Sequence, residues 1–124
     1  SAVSIIDLFV HASSHLLLFG LSADGPLMNN DGSERYSSPL RADPRPIDGI
    51  LHAAFVACRV NLAMRRLIGS GALSDENTAR AAERSAQSAN AARVGLEVLD
   101  EHARPTERGE IVLKTLRSYL ASAA

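Results

Sequence analysis

Tryptophan is absent from this chain of 124 residues, cysteine occurs once, and aromatic residues make up only 4%. A single cysteine excludes an intrachain disulfide and a cysteine-based zinc site. Scarce aromatics leave the core to Leu, Ile, Val and Ala, and Cys58, set in an apolar run, reads as a buried, inert thiol. An excess of positive charge is missing too. The net charge of −1 argues against a nucleic-acid partner. Lysine is nearly missing, since twelve of the thirteen basic residues are Arg, and with twenty alanines that bias points to a GC-rich, bacterial genome. No G-x-S-x-G elbow, Walker loop or dinucleotide fingerprint occurs, so the common catalytic and nucleotide signatures are excluded.

What is present is an ordinary globular balance. Hydrophobic residues make up 46% and charged residues 22%, enough for one domain with a genuine core. The stretch 3–23 is apolar enough to resemble a membrane span or signal peptide, yet Asp7, His11 and His15 lie inside it and no basic residue precedes it. The expectation is a soluble chain, cytoplasmic or peripheral at a membrane, without a signal peptide or transmembrane span. A start without Met suggests a piece of a longer protein.

Periodicity predicts four helices, at about 4–22, 47–68, 75–103 and 106–121. Ser4 is the expected N-cap of the first helix and Ser74 of the third; Gly69-Ser70-Gly71 ends the second, and Pro105 suits the first turn of the fourth. In the third helix Thr78, Ala82, Ser85, Ala89, Ala92, Leu96, Leu99 and Ala103 alternate gaps of four and three, a seam of small side chains. Pairs Glu76/Arg80 and Arg93/Glu97 at i,i+4 belong to its exposed side. The segment 24–46 is turn chemistry, and Pro39, Pro44 and Pro46 forbid a continuous helix there. It reads as a crossover pinned by Leu27, Met28, Tyr36 and Leu40. No strand-like alternation or solenoid repeat appears. The expected fold is all-α: a four-helix bundle with a long, mostly irregular connection between helices 1 and 2, the last three helices being antiparallel neighbours. The direction of helix 1 stays open.

Three groups of residues stand out. Asp7, His11 and His15 share one face of helix 1 at one-turn spacing, and His52 on helix 2 is a fourth candidate; such a set can hold zinc or haem. The competing reading is a narrow solvated stripe, with Ser14 and Ser22, on an otherwise apolar helix. The second group is the joint after helix 2, where Arg65, Arg66, Leu67, Ile68 and Leu73 set cations beside apolar residues, with Arg117 expected at the same tip. That combination suits an anionic membrane surface or a protein anchor, the alternative being that its apolar members close the core. This run departs from the H-x-x-K-G-S pattern of histidine-phosphotransfer helices, with Arg65 and Ile68 at the His and Lys positions. The third group, Asp100, Glu101, Glu107 and Glu110 with Arg104 and Arg108, reads as interleaved surface ion pairs.

The function expected from these residues is non-enzymatic: a helical interaction or targeting module offering one surface to a protein partner or to a second copy. Peripheral docking to anionic lipid through the 65–73 tip is the alternative, and a His-based metal or haem site on helix 1 the third reading. No cofactor is expected in the first two. All three assume that the helices bury their apolar sides together and leave no cleft of converging ionisable groups.

Overall fold

The computed structural model describes residues 1–38 and 40–123; Pro39, one of the expected helix breakers, lies outside them. Among the described residues are four helices, α1 (Ala2–Leu21), α2 (Ile47–Ser70), α3 (Asp75–His102) and α4 (Glu107–Ala123), and two strands, β1 (Tyr36–Ser38) and β2 (Arg41–Arg45). The chain is largely helical, as its periodicity predicts. The strands correct that reading. They form a two-stranded antiparallel sheet pairing Tyr36 with Arg45 and Ser38 with Arg41. Most of β2 is exposed, so no buried face writes an apolar alternation into its sequence.

Local chemistry sets the helix ends. Ser74 caps α3 by accepting from the Asn77 amide, and Gly71 closes α2 at φ 69°, a left-handed turn that glycine adopts without a Cβ clash. The first helix starts earlier than expected, capped by Ser1, whose hydroxyl accepts from the Ser4 amide at 3.2 Å. Thr106 caps α4, its Oγ1 accepting from the Gly109 amide at 3.1 Å, so Pro105 stands just before the helix rather than in its first turn.

The centre of the molecule is the antiparallel pair α2 and α3. Ala54, Ala57, Ala81, Ser88, Ala92 and Gly95 are buried between or beside them, and small side chains bring the backbones close. A Cβ added at Gly95 would sit 3.1 Å from the Ala54 Cβ. The C-terminal half of the expected seam is correct, with Ala92, Leu96 and Leu99 buried. Its N-terminal half is shifted by one residue: Ala81 and Ser88 are buried, whereas Ala82 faces solvent. Alanine-rich helices carry no size contrast to mark the inner face, so either register reads equally well. Asn61 ties three helices together, donating to the Ser85 carbonyl at 2.8 Å and accepting from the Tyr119 hydroxyl of α4. Both ends of its amide are satisfied, which makes its burial tolerable.

The structure decides the direction of α1. Arg59 of α2 reaches Ser13 and Ser14, His52 meets His15, and Val3 joins the cluster containing Val60 and Met64. The two helices therefore run antiparallel.

The long connection clasps the joint between α3 and α4. Asn29 donates its amide to the Arg104 carbonyl at 2.6 Å, and the Thr106 amide donates to the Leu27 carbonyl at 2.9 Å. Asn30 bonds the His102 carbonyl and the Arg104 amide through its side chain. Of the four expected pins, Leu27 and Met28 are buried and Tyr36 half-buried, but Leu40 is exposed. Gly109 is the counterpart on α4. A Cβ there would lie 1.8 Å from the Leu27 carbonyl oxygen, so only glycine admits the loop. Arg104 and Arg108 do not pair with their neighbours on the chain; they reach back to Glu34 at 2.7 Å and Asp24 at 3.0 Å. The Arg104 guanidinium holds the Glu34 carboxyl below its usual range. Of the expected i,i+4 pairs, Glu76–Arg80 forms at 3.0 Å, while Arg93 bonds Asn90 instead.

Candidate functional site

Helix α1 turns its polar stripe inward. Ser14 is fully buried, Asp7 and His11 are half-buried, and all three lie against α2 and α3. Two arginines receive them. Arg84 of α3 grips the Asp7 carboxylate through Nε at 2.9 Å and through its terminal nitrogen at 3.4 Å. Arg59 of α2 donates to the Ser13 and Ser14 hydroxyls at 3.0 and 2.9 Å. The expectation of a solvated stripe is thereby corrected, because partners for it come from two other helices.

Although Val3 and Leu18 are buried, this orientation leaves most of the helix's large apolar side chains outside. Phe9, Leu16 and Phe19 are 70%, 76% and 79% exposed, and Ile5 and Leu8 are exposed beside them. Ile5, Phe9, Ala12, Leu16 and Phe19 follow one another at gaps of four, three, four and three, the spacing of a helix-pairing seam. Neither Lys nor Arg occurs in α1. An apolar surface of this continuity is rare on a lone folded chain.

Behind α1 lies a cleft of about 450 Å³ whose walls come from α1, α2, α3 and β2. The assumption that the helices leave no cleft of converging ionisable groups is therefore wrong. Three of the four histidines, His11, His15 and His52, line it with Arg41, Arg45 and Arg84. The His15 and His52 rings lie 4.2 Å apart between centroids, tilted by 48°. Burial, and then the neighbouring His15, push the His52 pKa below the usual imidazole value. His52 Nε2 and Arg45 Nε are both buried without a hydrogen-bond partner among the described residues. The Asp43 carboxylate stands 3.6 Å from Arg45 Nε, too far to bond it. Ser88 supplies the one hydroxyl among the lining residues, and it donates to the Ser85 carbonyl at 3.0 Å rather than to a histidine. Arginine and histidine nitrogens thus face the cleft, and its one lining hydroxyl is bonded to backbone.

Sequence reasoning grouped Asp7, His11, His15 and His52, and the structure sets Asp7 beside His11 and His15 against His52. That reasoning missed the arginines among them. Asp7 lies 3.3 Å from His11, yet its carboxylate is occupied by Arg84. Among the described residues, no three His, Cys, Asp or Glu side chains meet as a metal ligand set. Arg41 and Arg45 carried no signal at all, since only the sheet brings them to the cleft. Cys58 is buried, and desolvation pushes its thiol pKa up to about 11.

The 65–73 tip is less open than its composition implies. Leu67, Ile68 and Leu73 are half-buried against the cluster of Val3, Val56, Val60, Met64 and Ala81. Arg65 and Arg66 are exposed. Arg117 does not join them: it pairs with Asp100 at 2.6 Å and Glu110 at 3.5 Å, at the opposite end of α3. Helix α4 has 17 residues against the 28 of α3, so it stops short of the tip. No protein-family profile matches the chain, and no curated protein matches it in sequence; its possible roles rest on this geometry alone.

Proposed function

We propose that the chain is a non-enzymatic helical interaction module whose binding surface is the outer face of α1, and that a second copy of the chain covers it. The observation that carries this reading is the row Ile5, Phe9, Ala12, Leu16 and Phe19, exposed while Ser14 is buried and Asp7 and His11 are half-buried. The row is nearly symmetric about Ala12. Two copies crossing antiparallel there would set Ile5 against Phe19 and Phe9 against Leu16, with the small residue where the backbones come closest. No charge on the seam opposes self-pairing. The four helices would then form a bundle whose most apolar member belongs to an interface as much as to the core.

Sedimentation velocity from ten to several hundred micromolar tests this. The wild-type chain should form a reversible dimer, and the double variant Phe9→Glu, Leu16→Glu should be a monomer of unchanged helical content. A wild-type chain that stays monomeric over that range overturns the second copy as occupant.

A second reading is docking to anionic lipid. Arg65 and Arg66 are exposed, and the antiparallel arrangement sets them beside the start of α1, near exposed Ile5 and Leu8. Co-sedimentation with anionic vesicles, lost in the double variant Arg65→Glu, Arg66→Glu, would favour it. Binding indifferent to lipid charge would end it.

A further inference from the structure

We propose that the cleft between α1, α2, α3 and β2 binds a small soluble organic phosphate, its oxyanion on Arg45 and His52 and its uncharged part on Ala53, Val56 and Ala57. This inference is independent of what covers the outer face of α1.

Two buried polar atoms without partners open the case. Arg45 Nε can only donate, and His52 Nε2 donates when it carries the ring proton. A donor left unpaired away from water is costly, and an anionic oxygen relieves it. Both residues line the same cleft.

The charge around them has one sign in excess. Arg41, Arg45 and Arg84 bring three positive charges, against Asp7 on Arg84 and Asp43 near Arg45. Among the cleft's own lining and its ion-pair partners one cation therefore remains uncompensated even with His11, His15 and His52 neutral, while exposed Asp48 lines the adjoining pocket that shares His15 and His52. Protonation of any of these histidines adds to the surplus. Because Arg84 already holds Asp7, the cations left for a ligand are Arg41 and Arg45 on β2.

The donors select the class of anion. A carboxylate offers two oxygens in one plane, whereas the donors here approach from a strand on one side and from α1 and α2 on the other. A phosphate monoester presents three terminal oxygens in a tripod, each able to accept, and carries up to two negative charges. About 450 Å³ is more than an inorganic ion needs and falls in the range of small-molecule sites. Beyond the cations the lining is Ala53, Val56, Ala57 and Ala91, which would take an apolar or planar group.

Titration of the full chain with phenyl phosphate, inorganic phosphate and benzoate, followed by histidine ring NMR signals, tests the proposal. Phenyl phosphate should move the His11, His15 and His52 signals saturably and bind about tenfold more tightly than either other probe. Arg45→Gln and His52→Gln should each weaken it about tenfold, while Arg93→Gln, bonded to Asn90 on another surface, should leave it unchanged. Circular dichroism establishes that each variant folds, and Arg41→Gln, on an exposed side chain, substitutes for any that does not. Absence of saturable shifts, or full affinity in the folded variants, overturns the site. Benzoate binding as tightly as phenyl phosphate overturns the phosphate assignment, and inorganic phosphate doing so overturns the organic one. Vesicles of phosphatidic acid should bind no better to wild type than to Arg45→Gln; a difference there would assign the cleft to a lipid headgroup and overturn the soluble ligand.

Discussion

Helix α1 and the α2–α3 pair solve the same packing problem in opposite ways. Between α2 and α3 the apolar and small residues face each other, and the buried polar groups Asn61 and Ser88 are bonded within the pair or to α4. Against α2 and α3, α1 presents Asp7, His11 and Ser14, held by arginines, while its largest side chains face outward. Hydrophobic burial holds the first contact. The second combines the burial of Val3 and Leu18 with charge-assisted hydrogen bonds that are half-exposed and individually weak. A helix attached through its polar side keeps its apolar side available, which is what an interface needs and a core does not.

Substitutions can break or sharpen that contrast. The largest effect should come from the clasp that makes both regions one body. Gly109→Ala drives a Cβ into the Leu27 carbonyl and should cost about 4 kcal/mol in urea unfolding, with amide signals of the 26–30 segment displaced. Next, the same residue type should behave oppositely in the two regions. Leu51→Ala, fully buried in the core, should cost about 3 kcal/mol, whereas Leu16→Ala should stay within about 0.5 kcal/mol in a chain kept monomeric by dilution. A comparable loss at Leu16 under those conditions would mean that α1 is packed by its apolar face after all. Smaller again is the polar attachment: Asp7→Ala should cost about 1 kcal/mol, and less at high salt, because both partners of the Arg84 pair are partly exposed.

Stability also depends on pH, and the sign differs at the two groups. The folded His52 pKa is depressed, so its contribution is present above the unfolded value near 6.5 and is lost as pH falls below it. For Cys58 the folded pKa is raised from 9.0 to about 11, so its contribution is present below 9.0 and is lost as pH rises toward 11. Thermal melting between pH 5 and pH 11 should therefore show stability declining at both ends. Cys58→Ser should remove the loss between pH 9.0 and 11, and His52→Gln should remove part of the acid loss.

Much of the helical framework was legible from residues alone. Ser74 and Gly71 fix their helix ends through local backbone geometry, and the apolar run of α2 marks a buried helix wherever its neighbours lie. The candidate site was legible only in fragments. The one-turn spacing of Asp7, His11 and His15 placed them on a common face but carried no information on what faces them. Arg45 belongs to a strand without apolar alternation, and Arg84 to a helix whose alanines blur the inner register by one residue.

By itself, the sequence determined the number of helices, the ends set by Gly71 and Ser74, the inert cysteine and the excess of apolar surface on α1, because these depend on neighbours within a turn or two along the chain. Only the tertiary structure decided that α1 runs antiparallel to α2 with its polar stripe inward, and that β2 brings two arginines to three histidines. The physical reason is that an amphipathic helix specifies two faces but not which one is buried. Partners distant in sequence, here Arg59 and Arg84, settle that choice by compensating polar groups that would otherwise have needed water.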